Sequence, residues 1–446
     1  MKQKMDFANG DTKKMLCKMV VPLFLAMLLM LAYNLVDSIW VGNLLGENGY
    51  AALTTAGSVS ILLYALTSGI GNGTSVVISQ LVGAKDRKKT EEAIGLSIAM
   101  SAVFAVVLIV VLECFLDQLL LVFQTPDKIY NDARNYLEIF LIGYIAIFLY
   151  MQLTSIFRSF GDPTFQGKGM LLGTVINIVA DPLFIHGFGI SGAAIATVLS
   201  QVLCLVYALF YAKKKAYFCW NFKGIHWKEA VKMLKMVVPA SVQNCTPAVS
   251  SMIMVILVNS FDVSTIAAYG VVKNIENILF YPAMAMNMAL ITIVGQLHGA
   301  KRDDRIQDYM KTAFVYGLLL EAVLTVLVLI FSTPISMAFV REAAVAVITG
   351  RGLKIIGAGY LCYMATSIFT AKMAGLGRVN LSMGIMFLYY IVIRVPLAAV
   401  LVHGSLGLDG MWIAILASHL LAVLLSFAAD AHASCMERKA AFLKNE

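Results

Sequence analysis

From residue 18 to residue 429 the chain is a string of apolar runs, each about twenty residues or longer, cut by short stretches of Gly, Pro and charge. A helix crossing the hydrocarbon of a bilayer needs about 20 apolar residues. This pattern therefore restricts the fold more than any other feature of the sequence. Ala93–Leu112 and Met411–Ala429 contain no Asp, Glu, Lys or Arg at all. Sixty per cent of the 446 residues are hydrophobic and 13% are charged, against about 25% charged in a soluble domain. No water-soluble fold hides that much apolar surface, so the solvent is lipid. In lipid the backbone must satisfy its own hydrogen bonds, and runs of this length do so as helices. The expected fold is an all-α polytopic membrane protein.

Breaks in the apolar pattern give twelve spans, near 18–42, 51–83, 93–117, 133–157, 166–186, 190–212, 235–259, 266–298, 312–334, 351–376, 382–403 and 408–429. The second and eighth exceed a simple crossing and are expected to tilt, bend or emerge into water. Lys and Arg in short loops set the orientation. Alternate connections carry 27 basic residues on one side and five on the other, with Lys273 and Arg394 inside spans. Both termini are thus expected in the cytoplasm, and the protein in the cytoplasmic membrane. Met1–Lys14 lacks an A-x-A cleavage pattern, so no removed signal peptide is expected. The formal charge of +8 does not indicate nucleic acid, because the basic residues lie in loops between spans rather than on one face of a domain.

Three landmarks repeat in register. Lys18-Met-Val-Val-Pro22 recurs at 235–239, a shift of 217; Gln80-Leu-Val-Gly-Ala-Lys85 recurs as Gln296-Leu-His-Gly-Ala-Lys301, a shift of 216; Gly189-Ile-Ser-Gly recurs as Gly407-Leu-Asp-Gly, a shift of 218. Each shift holds six spans, so the chain reads as two pseudo-symmetric six-helix bundles of the same orientation. The expected divisions are an N-terminal segment (1–17), a first bundle (18–212), a basic cytoplasmic linker (213–234), a second bundle (235–429) and a cytoplasmic tail (430–446). Paired bundles of this kind commonly build a translocation path.

Ionisable residues inside spans are costly and mark function. Tyr33, Asn34 and Asp37 are spaced to share a helix face in the first span, and Asn177 and Asp181 do the same in the fifth. Pro182 denies its helix one hydrogen bond and should kink it beside Asp181; Pro282 should bend the eighth span, near Tyr281 and Met284. Thr197 and Ser200 offer hydroxyls from the sixth span. Met254 stands at the place in the seventh span that matches Asp37, so the polar pocket belongs to the first half alone. Such carboxyls could exchange a proton, or, with Asn and Thr oxygens, hold the hard cation Na⁺; the residues do not choose between them. Lys273 and Glu276, three apart, are expected to pair, either as a neutralised structural pair or as a gate. Glu321 is expected to snorkel or bond locally. The 24 methionines suit a pocket that repacks around varied ligands. No GxxxxGK[ST] loop, HExxH or nucleophile elbow is present, so neither ATP hydrolysis nor any other enzyme activity is expected, and the seven cysteines show no ligand spacing that would imply a metal site or cofactor.

Asn34-Leu-Val-Asp37-Ser-Ile-Trp-Val-Gly42, the two Gly-Ala-Lys landmarks, and Asn177-x-x-x-Asp181-Pro-Leu-Phe-Ile followed by Gly189-Ile-Ser-Gly-Ala-Ala-Ile-Ala-Thr197 resemble the multidrug and toxic compound extrusion (MATE) family, most closely its bacterial DinF/MepA-like branch. The resemblance covers about 18–430. It implies twelve helices in two bundles that export cationic or amphipathic drugs by antiport with H⁺ or Na⁺, functional as a monomer and without a cofactor. By position it implies a cation-coupling pocket of Asp37, Asn177, Asp181 and Thr197, and a substrate pocket including Tyr33, Asn34, Asp37 and Met284. Another branch of the family places coupling acids in the seventh and tenth spans, where this chain has none. The nearest rival is a lipid-linked oligosaccharide flippase, which would favour a cationic cavity for pyrophosphate.

Overall fold

The computed structural model describes residues 5–123, 125–219, 221, 226–340, 342–404 and 406–445. Lys2, Lys4, Lys223 and Arg341 of the charge bias lie outside the described residues, as do the side chains of Arg438, Lys439 and Lys444. Among the described residues the structure is helical and contains no β-strand. Eleven helices among the described residues are long and apolar enough to cross a membrane. The first, α1 (Thr12–Gly83), has 72 residues and at 1.5 Å per residue would be roughly 110 Å long if straight. It is instead broken at Gly46, whose φ of 70° and ψ of −160° belong to a region open essentially to glycine alone. The first two spans are thus one continuous helical segment with a glycine hinge, and eleven helices make twelve crossings.

The chain divides into two compact units, Met1–Gly10 with Val21–Ser241, and Asp11–Val20 with Val242–Glu446. The first unit holds most of α1, then α2 (Arg87–Cys114), the short α3 (Leu116–Val122), α4 (Asp127–Ser159), α5 (Thr164–Phe188), α6 (Ile190–Lys215) and the start of α7 (Trp227–Val258). Asp86 starts α2 by accepting from the Lys89 backbone N–H at 3.1 Å. α4 carries an aromatic row, Tyr136, Phe140, Tyr144 and Phe148, at four-residue spacing, with successive ring centroids 5.8–6.2 Å apart. The row faces inward, and the Tyr144 hydroxyl donates to Leu63 O at 2.6 Å, tying α4 to α1. Outward faces are apolar as well: Val103 is 65% exposed and Leu183 70%, as lipid-facing residues should be.

The second unit continues with α8 (Val263–Gly299), α9 (Asp303–Ile330), α10 (Ser332–Phe339), α11 (Ala343–Gly375), α12 (Val379–Phe387), a π-helical turn (Leu388–Arg394), α13 (Val395–His403) and α14 (Gly407–Asn445). The predicted eighth span is one unbroken helix of 37 residues through Pro282, and α5 likewise runs through Pro182. Trp412 stacks on Tyr269 at 5.8 Å, and Phe280 packs on Tyr363 at 4.1 Å.

The repeated landmarks do the same local work in each unit. Lys85 and Lys301 both hold positive φ, 57° and 56°, closing α1 and α8 with paired backbone bonds back to Val82 and Leu81, and to His298 and Leu297. These are Schellman-type helix ends. Gly189 and Gly407 hold φ of 58° and 53°, and three residues on, Gly192 and Gly410 lie against the carbonyls of Phe184 and Leu401, where a Cβ would collide with backbone.

Candidate functional site

In the first unit, three elements bring polar side chains to one buried place. α1 supplies Tyr33 and Asp37, one turn apart and both buried; α5 supplies Asn177 and Asp181, both without exposed surface; α6 supplies Thr197 and Ser200. The Asn177 amide donates to Asp181 Oδ1 at 2.8 Å. The Asp37 and Asp181 carboxyls lie near enough to bear on one another electrostatically. Tyr33 Oη lies 3.3 Å from Ser200 Oγ, and Ser200 Oγ in turn donates to Thr197 O at 2.8 Å.

Four oxygens in this group are buried without a hydrogen-bond partner: Asp37 Oδ1, Asn177 Oδ1, Asp181 Oδ2 and Thr197 Oγ1. The Tyr33 and Tyr136 hydroxyls neighbour Thr197 without satisfying its oxygen within 3.5 Å. Orphaned buried oxygens are rare in proteins and call for a specific explanation. Two carboxyls, an amide oxygen and a hydroxyl form a hard, oxygen-only donor set of the kind that accepts a proton, a water or an alkali cation.

Sequence reasoning did not identify Tyr64 and Tyr136, whose rings lie in the field of Asp37. A tyrosine in an apolar run carries no charge to mark it, and only the four-residue row on α4 hinted at an inward face. Asn34, by contrast, is exposed. It sits about 100° round the helix from Tyr33, outside the buried face that takes Tyr33 and Asp37. Met284 is 40% exposed, and its helix buries Ala283, Ala285 and Met286 instead.

Two expectations for the second unit change. Lys273 and Glu276 form no ion pair within 4.0 Å among the described residues; Glu276 is 3% exposed with an unpartnered Oε1, while Lys273 retains some exposed surface. Three-residue spacing turns the two side chains about 60° apart, and here they do not converge. Glu321 neither snorkels nor bonds locally: it has no exposed surface and neither carboxyl oxygen has a partner. All seven cysteines are free.

The MatE family model matches residues 22–183 and again 239–400, two segments offset by the 217 residues of the internal repeat. The chain is 29% identical over 421 residues to the probable multidrug resistance protein YoeA of Bacillus subtilis, covering 92% of this chain and 91% of that one. It is 30% identical over 313 residues to the probable multidrug resistance protein YpnP of the same organism, 68% of each chain. An outward-facing multidrug resistance MATE family transporter of the MOP superfamily superposes with a TM-score of 0.91 at 23% identity, over 98% of this chain and 99% of the other; at that identity the likeness concerns the fold. With both halves matched, the chain belongs to the MatE family of multidrug efflux transporters.

Proposed function

We propose that the protein exports cationic or amphipathic compounds by alternating access, in antiport with H⁺ or Na⁺, and that Asp37 and Asp181 are where cation and cargo exclude each other. One observation carries this reading: two carboxyls share a buried place in the first unit, with Asn177 and Thr197 beside them and four oxygens left unsatisfied. No basic side chain is among the groups bearing on either acid. Negative charge there needs an incoming cation to offset it, because an unpaired ion in apolar surroundings costs several kcal/mol, of order 3–5. A proton, Na⁺ or a cationic drug each meets that need, and only one does so at a time. Asn177 and Thr197 would complete the oxygen set around the ion. Only a ligand with different affinity for the two states can drive the exchange between them, and the acids supply that difference. The acidic pocket suits a cation better than a pyrophosphate-linked lipid. The protein works as a monomer in the cytoplasmic membrane, with its basic loops and termini inside.

Ethidium efflux from loaded cells tests the reading, with wild type, Asp37→Asn and Asp181→Asn compared under separate pH and Na⁺ gradients. Wild-type efflux that both variants lose, at equal membrane abundance, supports it, and the productive gradient names the ion. Variants that pump normally make the acids structural and reject the assignment.

A further inference from the structure

The internal repeat gives the second unit a buried acid that the first lacks. At the 216-residue shift of the Gln80/Gln296 landmark, the buried stripe of α2 matches that of α9: Thr90 stands against Ile306, Ser101 against Gly317 and Ala105 against Glu321. The same shift pairs Tyr144 on α4 with Tyr360 on α11, and Thr67 on α1 with Ala283 on α8. In the first unit Tyr144 is tied down, its hydroxyl bonded to Leu63 O and to Thr67 Oγ1. In the second, the place of Thr67 is taken by Ala283, and the Tyr360 hydroxyl is buried with no partner. The second unit has thus lost the hydroxyl that holds this tyrosine and gained a carboxyl on the neighbouring helix.

Contacts between α9 and α11 fix where these groups lie. The rings of Phe314 and Phe369 are 5.0 Å apart. A Cβ on Gly317 would lie 3.0 Å from Met364 Sδ, and one on Gly357 3.3 Å from Leu329 Cδ1. Positions fall along α11 as they rise along α9, so the two helices are antiparallel. Glu321 and Tyr360 each stand one turn beyond the Gly317–Met364 contact, toward Leu329 and Gly357, at one level on the facing sides. Tyr360 accordingly lies in the field of Glu321. Thr325 follows one turn further along α9 and is buried too. Thr312 of the same helix gives its hydroxyl to the Asp308 carbonyl at 2.8 Å, the usual recourse of a threonine inside a helix. Thr325 Oγ1 makes no such bond. Both Glu321 carboxyl oxygens, Thr325 Oγ1 and Tyr360 Oη are therefore buried and unsatisfied together.

Arg394 stands at the place of Asp181 when Asn177-Ile-Val-Ala-Asp181 is set against Tyr390-Ile-Val-Ile-Arg394. It bears on the same tyrosine but is engaged elsewhere: its Nε donates to Ser418 Oγ at 2.9 Å and its Nη2 to Tyr389 Oη at 2.7 Å. Neither Glu321 oxygen accepts from it. An acid so enclosed must carry a proton or meet a cation at contact distance. A protonated carboxyl would donate to a neighbouring oxygen, yet no member of the set bonds another. Oxygens that share an ion bond the ion instead of one another, and a carboxylate, an aliphatic hydroxyl and a phenol are hard ligands suited to an alkali cation.

We propose that Glu321, Thr325 and Tyr360 form a Na⁺ site enclosed within the second unit, separate from the Asp37–Asp181 pocket. It does not rest on the antiport reading, because the ion is followed by binding, without gradient or efflux. The test uses the full chain in phosphatidylcholine nanodiscs, carrying Asp37→Asn and Asp181→Asn so that the first unit offers no carboxylate there. Its melting temperature is followed as Na⁺ replaces N-methylglucamine at constant ionic strength, and Na⁺ is expected to raise it saturably. Glu321→Gln should abolish the rise, while Tyr360→Phe and Thr325→Val should each raise the half-saturating Na⁺ concentration at least about fivefold. Should the Asn pair or Glu321→Gln fail to fold, Tyr360→Phe in the wild-type chain decides by the same factor, since it removes only a hydroxyl that bonds nothing. A folded Asn-pair chain without a saturable Na⁺ response, as a protonated acid or a bound water would leave it, overturns the proposal. So does a response that Glu321→Gln or Tyr360→Phe leaves unchanged.

Discussion

Asp181 lies in an apolar helix with one amide donor on Oδ1, nothing on Oδ2 and a second carboxyl as neighbour. Removing the donor by Asn177→Ala leaves the acid without its alignment, a loss worth about 1–3 kcal/mol. With Na⁺ as the coupling ion the half-saturating concentration should therefore rise roughly ten- to a hundredfold, read from efflux rates across a series of Na⁺ gradients; with H⁺ it should fall, because the lost donor had favoured the charged carboxylate. Asp86, outside the membrane, behaves differently. The Lys89 backbone N–H, then its ammonium, hold the Asp86 carboxyl below the usual aspartate range. A depressed carboxyl contributes stability that is fully present above its unfolded value of about 3.9 and is lost as pH falls through the folded value. Melting temperatures of wild type and Asp86→Asn should keep a constant difference above about pH 4 and converge below it. At this scale the charged members of the site were legible, since an acid inside an apolar run stands out and four-residue spacing pairs it with Asn177. Tyr64, Tyr136 and the orientation of Asn34 were not, because they depend on which face each helix buries.

Among the elements, the repeated Gly-x-x-Gly corners show what the sequence repeat preserves. The first glycine supplies a positive φ at the start of α6 and α14, and the second lets that helix lie against the carbonyl end of α5 or α13. A Cβ at the second position meets backbone oxygen rather than a movable side chain. Gly192→Ala and Gly410→Ala are each expected to destabilise by about 1–3 kcal/mol, seen as lower melting temperatures in detergent, whereas Gly187→Ala, with open space around its Cα, should change little. Helix existence and approximate limits could be read from hydropathy, and the Gly46 break falls between the first two predicted spans. The π-helical turn could not: Leu388–Arg394 is as apolar and β-branched as any neighbouring helix, and only hydrogen-bond register distinguishes it.

For the molecule as a whole, the charge bias predicts which ends of the helices face the cytoplasm. Cys114, at the end of α2, and Cys219, past α6, are both exposed and fall on opposite sides of that scheme. In variants retaining one cysteine each, a membrane-impermeant maleimide should label Cys114 in intact cells and Cys219 only in everted vesicles. The reverse pattern would invert the orientation. Two-fold repetition and a lipid solvent were legible here because three landmarks and the hydropathy of the entire chain agree.

The π-helical turn also changes how the two halves can be compared. A turn closed by i→i+5 bonds holds one residue more than an α-helical turn. Asp181 is followed at once by Pro182, whereas Val395 intervenes between Arg394 and Pro396. In a plain α-helix an added residue would rotate everything beyond it by about 100°; absorbed in the wide turn, it leaves the faces on both sides in place. The offset between equivalent positions therefore changes from 213 at Asp181 and Arg394 to 214 at the two prolines. An alignment of the halves must open a gap inside the single span Val379–His403. Without that gap, Asp181 is matched to Val395, and the reversal of charge between the halves disappears from the comparison.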